Sequence, residues 1–282
     1  MQKPDREIAY AKINLALHVR ERLPNGYHSL ETLFAFVDRG DVITVAPSEE
    51  LSLELCGPFG LENELDTKDN LVIKAAALLA DYAQIAPRAN ITLNKKLPIA
   101  SGIGGGSADA AATLRLLNRF WKLGLSQQTL AELSQPLGAD VPACVFSKTI
   151  LATGIGQDFT VPKGQPISGL PVLLVNPRIK ISTGEIFAAW DGRDGGPLNV
   201  TEPPLSIAQS GRNDLEPVAI VLVPQIADVL AMLKKTGPIM SRMSGSGATC
   251  FALYENREQL EAAHQYAIEN FSEWWTLAGE LR

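Results

Sequence analysis

Between Lys95 and Ala111 the chain reads Lys-Lys-Leu-Pro-Ile-Ala-Ser-Gly-Ile-Gly-Gly-Gly-Ser-Ala-Asp-Ala-Ala, and no other stretch constrains the fold as much. Four glycines between Ser101 and Ser107 break both strand and helix, because glycine loses the most backbone freedom on ordering. An extended segment, Ala89 to Leu93, and Pro98 precede them. After them, Ala110, Leu114, Leu117 and Trp121 fall at helical spacing within Ser107 to Trp121. Strand, proline stop, glycines, hydroxyl and helix start together suit an anion cradle, in which exposed N–H groups and the positive helix end face a phosphate. A tight strand-to-helix turn is the alternative, and an isolated Gly-Gly-Gly fits it equally well. Two familiar phosphate loops are excluded: no Lys follows the glycines as GxxxxGK[ST] demands, and Ser107 occupies the last glycine position of GxGxxG.

The rest of the chain reads as mixed α and β. Ile8 to Val19, Glu31 to Val37, Asp41 to Val45 and Leu51 to Leu55 fit strands of an antiparallel sheet, and Pro24-Asn25-Gly26 makes a turn between the first two. Helices are expected over Asn70 to Ala83 behind an Asp69 or Asn70 cap, and near Gln127 to Ser134, Ile226 to Lys235 and Arg257 to Glu269. Ser182-Thr-Gly-Glu185 has capping-box spacing, Val172 to Val175 reads as a strand, and Gly192 to Pro204 as a flexible connection. With 282 residues, one bilobal domain or two modest domains around a cleft are expected. A net charge of −6 with interspersed signs argues against a nucleic-acid or anionic-lipid surface, and no apolar run is long enough to span a bilayer. The N-terminus carries no targeting pattern, so the cytoplasm is the default location. Cys56, Cys144 and Cys250 show no metal or disulfide spacing and read as buried reduced thiols; His18, His28 and His264 have no metal-ligand spacing either.

Two charged residues stand out. Lys12 lies inside Ala9-Tyr-Ala-Lys-Ile-Asn-Leu-Ala-Leu17, on the strand face shared by Tyr10, Asn14 and Ala16. A charge there is costly without a partner, although an edge-strand lysine facing water fits as well. Asp140, in Gly138-Ala-Asp-Val-Pro142, suits a helix N-cap, or a carboxylate kept ionised to accept a hydroxyl proton. A second glycine-rich segment, Ser244-Gly245-Ser246-Gly247, reads alone as a strand-connecting turn; alongside the first it suggests a shared ligand.

Together these segments resemble the GHMP kinase superfamily, the galactokinase, homoserine, mevalonate and phosphomevalonate kinases. Their central loop stands here as Pro98-Ile-Ala-Ser-Gly-Ile-Gly-Gly-Gly-Ser107-Ala, with Ile103 in place of the commoner leucine and Ala108 in place of a frequent serine. Ala11-Lys12-Ile-Asn14, Gly26-Tyr27-His28 and Gly138-Ala-Asp140-Val-Pro142 are similar to one branch of it. That branch phosphorylates the 2-hydroxyl of a cytidine diphosphate sugar-alcohol in the methylerythritol phosphate (non-mevalonate) route to isoprenoid precursors. The resemblance implies an α+β GHMP kinase fold. Residues 1–160 would form a ribosomal-protein-S5-like N-terminal domain with a left-handed βαβ feature, and residues 161–282 a ferredoxin-like C-terminal domain, with the active site between them. It further implies that ATP, with Mg2+, binds Pro98, Ile99, Ala100, Ser101, Gly102, Ile103, Gly104, Gly105, Gly106, Ser107, Ala108 and Asp109, and that Lys12 and Asp140 are catalytic. Asn14, Tyr27, His28, Thr183 and Phe187 would hold the acceptor, Tyr27 and Phe187 flanking its cytosine, while Gly245, Ser246 and Gly247 form the second loop. No dedicated metal ligand, nucleic acid, membrane or obligate protein partner is implied. Another small-alcohol kinase of the superfamily, or a nucleotide-binding regulator without chemistry, are the alternatives.

Overall fold

The computed structural model describes residues 5–60 and 69–282. They form two compact units interleaved along the sequence: one draws on 5–11, 39–60, 69–99 and 104–147, the other on Lys12–Asp38, Ala100–Ile103 and Lys148–Arg282. Strands β1 (Asp5–Arg22) and β2 (His28–Ala46) each run from one unit into the other. The turn joining them is the expected one: Gly26 takes a φ of +85° and its N–H donates to Leu23 O at 3.0 Å.

In the first unit, β3 (Leu51–Cys56) runs parallel to β4 (Ala89–Asn94) with α1 (Leu71–Tyr82) as the crossover, and β4 pairs antiparallel with Val42–Ala46 of β2. Asn70, not Asp69, caps α1, its Oδ1 accepting the Val72 N–H. Val72, Ala75, Ala76, Leu79 and Ala80 form the buried stripe that the sequence spacing anticipates. Next come α2 (Gly105–Phe120), α3 (Gln127–Ser134), a short 3-10 turn and α4 (Val141–Phe146). Arg115 on α2 ties the unit together, donating to Glu7, to Ile8 O on β1 and to Cys144 O on α4.

The second unit begins with β5 (Ile150–Gly154), antiparallel to Leu30–Phe34 of β2, and β6 (Asp158–Thr160) beside it. Then follow β7 (Pro171–Asn176), α5 (Thr183–Ala189), α6 (Pro204–Ser210), α7 (Glu216–Leu222), α8 (Gln225–Lys235), β8 (Met240–Met243), β9 (Cys250–Leu253), α9 (Arg257–Asn270) and β10 (Trp275–Glu280). The antiparallel sheet order β10-β7-β9-β8, with helices after its first and third strands in chain order, is the ferredoxin-like arrangement. Its core gathers Leu173, Val175, Ile226, Leu230, Leu233, Ala252, Leu260 and Ala263.

Three expectations change. Glu31 to Val37 and Asp41 to Val45 belong to one 19-residue strand, because nothing breaks the chain at Gly40. There a Cβ would stand 1.8 Å from Ala9 O, so glycine serves a close backbone approach and not a turn. Gly192 to Pro203 has no regular structure, Pro204 opening α6, yet the segment is pinned: Arg20 pairs with Asp194, Glu31 accepts the Leu198 N–H, and His18 and Arg212 both bond Gly196 O. Of the three thiols, Cys144 and Cys250 are buried, whereas Cys56 is partly exposed. Burial raises the Cys250 pKa well above the ordinary thiol value.

The Gly40 contact makes a clear expectation. Gly40→Ala should cost about 3 kcal/mol, because the added methyl meets backbone that cannot rotate away. Urea unfolding followed by circular dichroism should give a lower midpoint at unchanged slope; an unchanged midpoint contradicts the packing described.

Candidate functional site

The candidate residues fall into two groups, one in each unit. In the second unit the group starts on β1. Lys12 and Asn14 are 4% and 3% exposed, so the water-facing edge lysine is ruled out. The Lys12 ammonium lies 4.4 Å above the centre of the Phe34 ring, and its backbone N–H donates to Ile103 O at 3.0 Å. Ser244 is a junction: its hydroxyl accepts the Asn14 N–H at 3.1 Å and donates to Gly102 O at 2.9 Å. Thr249 N–H donates to Ser101 O. The two glycine-rich loops therefore touch, and a Cβ on Gly102 would lie 2.5 Å from Gly247 O. Asn14 Nδ2 donates to Thr32 Oγ1 at 2.9 Å, while Asn14 Oδ1 is buried without a hydrogen-bond partner. Thr183 at the start of α5 shares a hydrogen bond with Ser246. Phe187 packs on His28 at 4.9 Å between ring centres, and Tyr27 stands 58% exposed next to it in sequence.

The first unit holds the start of α2. Gly104 is its N-cap with φ +65°, and no side chain caps the exposed N–H groups. Gly105 and Gly106 are helical; a Cβ on Gly105 would meet Lys95 Nζ at 3.4 Å and Leu97 Cβ at 4.0 Å, and one on Gly106 Leu71 Cδ1 at 3.5 Å, ordinary contacts. Packing among the described residues thus tolerates a methyl group at both positions. Behind Gly105, Lys95 is buried between Asp41 and Asp109, the Asp109 carboxylate 2.8 Å away. Asp41 also accepts the N–H groups of Lys96 and Leu97, fixing the segment that enters the loop. Burial first, and then the neighbouring Asp41 charge, push the Asp109 pKa up to about 8 against the opposing pull of Lys95. For Lys95, burial works downward, but the attraction of Asp109 and Asp41 outweighs it and raises the ammonium above its usual value.

Asp140 stands at the N-cap position of α4, yet its side chain makes no capping bond. The reason is local: its φ of −83° and ψ of −16° are helical, and a capping side chain reaches back from extended backbone. Capping is thus overturned for Asp140. Along the expected ATP loop, Gly102 and Gly104 to Ser107 have surface, whereas Ile103, Ala108 and Asp109 are buried and Asp109 faces Lys95. Sequence reasoning overlooked Thr32, Phe34, Trp190 and Ser244, which position Asn14, Lys12 and His28. Ser244 was signalled only by its place at the head of the second glycine segment. Among the described residues no group of three His, Cys, Asp or Glu side chains could hold a metal, and no helix is long and apolar enough to cross a membrane.

Comparison with known proteins shows the family to which the chain belongs. The family of the GHMP kinases N terminal domain matches residues 70–148, and that of the GHMP kinases C terminal matches 203–273. A 4-diphosphocytidyl-2-C-methyl-D-erythritol kinase of Rhizorhabdus wittichii is 48% identical, covering 98% of this chain and 94% of the relative. One of Novosphingobium aromaticivorans is 50% identical, covering 98% and 93%. A crystal structure of 4-(cytidine 5'-diphospho)-2C-methyl-D-erythritol kinase superposes with a TM-score of 0.81 at 31% identity, covering 98% of both chains. Homoserine kinase from Cytophaga hutchinsonii shares the fold, with a TM-score of 0.71 at 18% identity and coverage of 99% and 96%.

The buried triad sets a pH dependence. An acid whose pKa is raised on folding binds a proton as the chain folds, so its contribution declines as pH climbs from its unfolded value toward about 8. Lys95, raised, keeps its contribution until pH exceeds its ordinary ammonium value, above this window. Asp109→Asn should therefore raise Tm relative to the parent more at about pH 9 than at about pH 5. Scanning calorimetry showing the same difference at both pH values would contradict this assignment.

Proposed function

Because the chain belongs to the GHMP kinases, and within them to the 4-diphosphocytidyl-2-C-methyl-D-erythritol kinases, we propose that it transfers the γ-phosphoryl group of ATP to the 2-hydroxyl of 4-diphosphocytidyl-2-C-methyl-D-erythritol. The observation that carries the substrate is 48% identity across 98% of the chain to a relative bearing that name. On this reading the enzyme works in the cytoplasm, in the methylerythritol phosphate route to isoprenoid precursors. Along the sequence we place the division between the two family domains at residues 160 and 161, in the interval between the matched spans 70–148 and 203–273.

The open start of α2 supports a place for the triphosphate. Uncapped N–H groups and the helix dipole favour negative charge there, and Gly105 and Gly106 keep side chains out of its way. In phosphoryl transfer the protein mainly positions the reactants and stabilises charge. Asp140, released from capping, accepts the proton of the attacking hydroxyl, and Lys12 is its cationic partner against developing negative charge. Packing over Phe34 restrains the Lys12 ammonium, so little ordering is left for the reaction itself. Asn14 Oδ1, buried and unsatisfied, suits a hydroxyl of the acceptor; Thr183 and Ser246 offer a hydrogen-bonded pair of hydroxyls in the same unit. Phe187 and Tyr27 supply aromatic surface for the base. Mg2+ would accompany ATP and supply positive charge against that of the phosphates, held mainly by phosphate and water and not by a carboxylate cluster among the described residues. No step is assigned to it, because the described residues hold no carboxylate or imidazole cluster that fits it.

Phosphorus NMR with Mg·ATP and the cytidyl acceptor should show a new phosphomonoester, absent when homoserine or phosphomevalonate replaces it. Transfer to neither acceptor class by folded, ATP-binding protein would return the chain to a regulator. Asp140→Asn should cut kcat by about 10² to 10⁴ with thermal stability near the parent's; full turnover removes the base. Gly105→Ala should fold normally, because its methyl meets the chain only at ordinary contact distances, yet raise the KM for ATP at least about tenfold by crowding the uncapped helix start proposed for the phosphates.

A further inference from the structure

His28 opens β2, and three side chains bound its ring. Phe187 lies 4.9 Å away, Trp190 meets it edge-on at 5.7 Å, and Arg22 Nε donates to its Nε2 at 3.4 Å. The same guanidinium donates through a terminal nitrogen to Ala188 O on α5, at 3.3 Å. Arg22 thus fastens His28 to the helix that carries Phe187. A guanidinium has only donors and keeps its proton in any protein, so this bond runs one way. Nε2 must offer its lone pair, and a neutral ring then carries its hydrogen on Nδ1. Among the described residues Nδ1 bonds no protein group. Burial, and then the Arg22 charge, lower the His28 pKa from its ordinary value, which keeps the ring neutral at neutral pH.

We propose that Arg22 is a specificity-determining positioning residue, which locks His28 in the Nδ1–H tautomer and makes it a hydrogen-bond donor to the base of the acceptor substrate. The role in specificity rests on the reading of His28 as a substrate-holding group; the tautomer itself does not. A donor at this place discriminates by chemistry. Cytosine presents adjacent acceptors at O2 and N3, whereas uracil carries a hydrogen on N3 and sets donor against donor. An imidazole side chain in water favours the opposite tautomer, Nε2–H. Without Arg22 the ring would turn a lone pair toward the same edge and lose cytosine's advantage.

Long-range proton–nitrogen correlation NMR on the full-length protein reads the tautomer directly, because the chain has only three histidines. His28→Gln identifies the signal. His18 is an internal standard: its Nδ1 lies 3.1 Å from Gly196 O and its Nε2 accepts the Arg212 N–H, so it should show Nδ1–H in every variant. His28 should show Nδ1–H in the parent, shift toward Nε2–H in Arg22→Met, and return in Arg22→Lys, which restores a cationic donor. Arg22→Met should also raise the KM for the cytidyl acceptor about tenfold, with kcat and the KM for ATP near the parent's, and narrow the preference over a uridyl analogue. An Nε2–H or doubly protonated His28 in the parent, or no tautomer change in Arg22→Met, overturns the proposal. A changed tautomer with unchanged KM overturns the specificity role. A parent protein with the Nδ1–H tautomer that phosphorylates no cytidyl acceptor overturns the substrate reading instead.

Discussion

The approach of two backbone loops, Ser101 to Ile103 and Ser244 to Gly247, is the contact on which the second unit's candidate site depends. Gly102 lies so close to Gly247 and Ser244 that any side chain would collide with their carbonyls. The Ser244 hydroxyl, accepting from Asn14 and donating to Gly102, converts that proximity into a fixed register between strand and loops. Asn213 extends it, donating to the carbonyls of Met243 and Gly245. Arg242 adds three bonds from one guanidinium, to the carbonyls of Leu15, Ala208 and Gly211. Hence Lys12 and Asn14 sit on a strand whose free edge is already committed, and their side chains inherit that rigidity.

The first unit meets a different constraint: the start of α2 is left without a side-chain cap while the charges beneath it stay out of water. One ammonium between two carboxylates leaves an excess negative charge, which would oppose a triphosphate if all three groups were ionised. The raised pKa of Asp109 relieves that excess. Its Oδ1 is buried without a hydrogen-bond partner, an arrangement that costs an ionised carboxylate far more than a protonated one. The cluster therefore anchors α2 to the segment entering the loop, and protonation limits the repulsion it would otherwise exert.

Local signals were legible from the chain alone wherever a short-range rule governs. The Asn70 cap, the Ser182 cap with its bond from the Glu185 N–H, the turn at Gly26 and the buried stripe of α1 follow from residue type and spacing. Strands β8 and β9 and helices α6 and α7 escaped, being short segments whose order comes from packing against distant chain. Gly40 misled for a related reason, since its glycine answers to Ala9 thirty-one residues earlier and not to a local turn. At the site, Lys12, Asn14 and the glycine loop stood out as chemistry in an apolar or conformationally special setting. Phe34 and Thr32 did not, because an apolar or β-branched residue in a strand looks the same whether it supports a core or a functional side chain.

Glycine itself carries two messages in this loop, and separating them needs coordinates. At Gly102 and Gly104 the backbone is left-handed, so the fold demands glycine whatever binds nearby. Gly105 and Gly106 are ordinary helical residues whose neighbours would tolerate a methyl group, and in a helix glycine costs about 1 kcal/mol relative to alanine. Among the described residues no close contact at either position repays that cost. Two such residues at an uncapped helix start agree with the position proposed above for the triphosphate, since a phosphate chain approaching the N–H groups needs both the absent side chains and the absent cap.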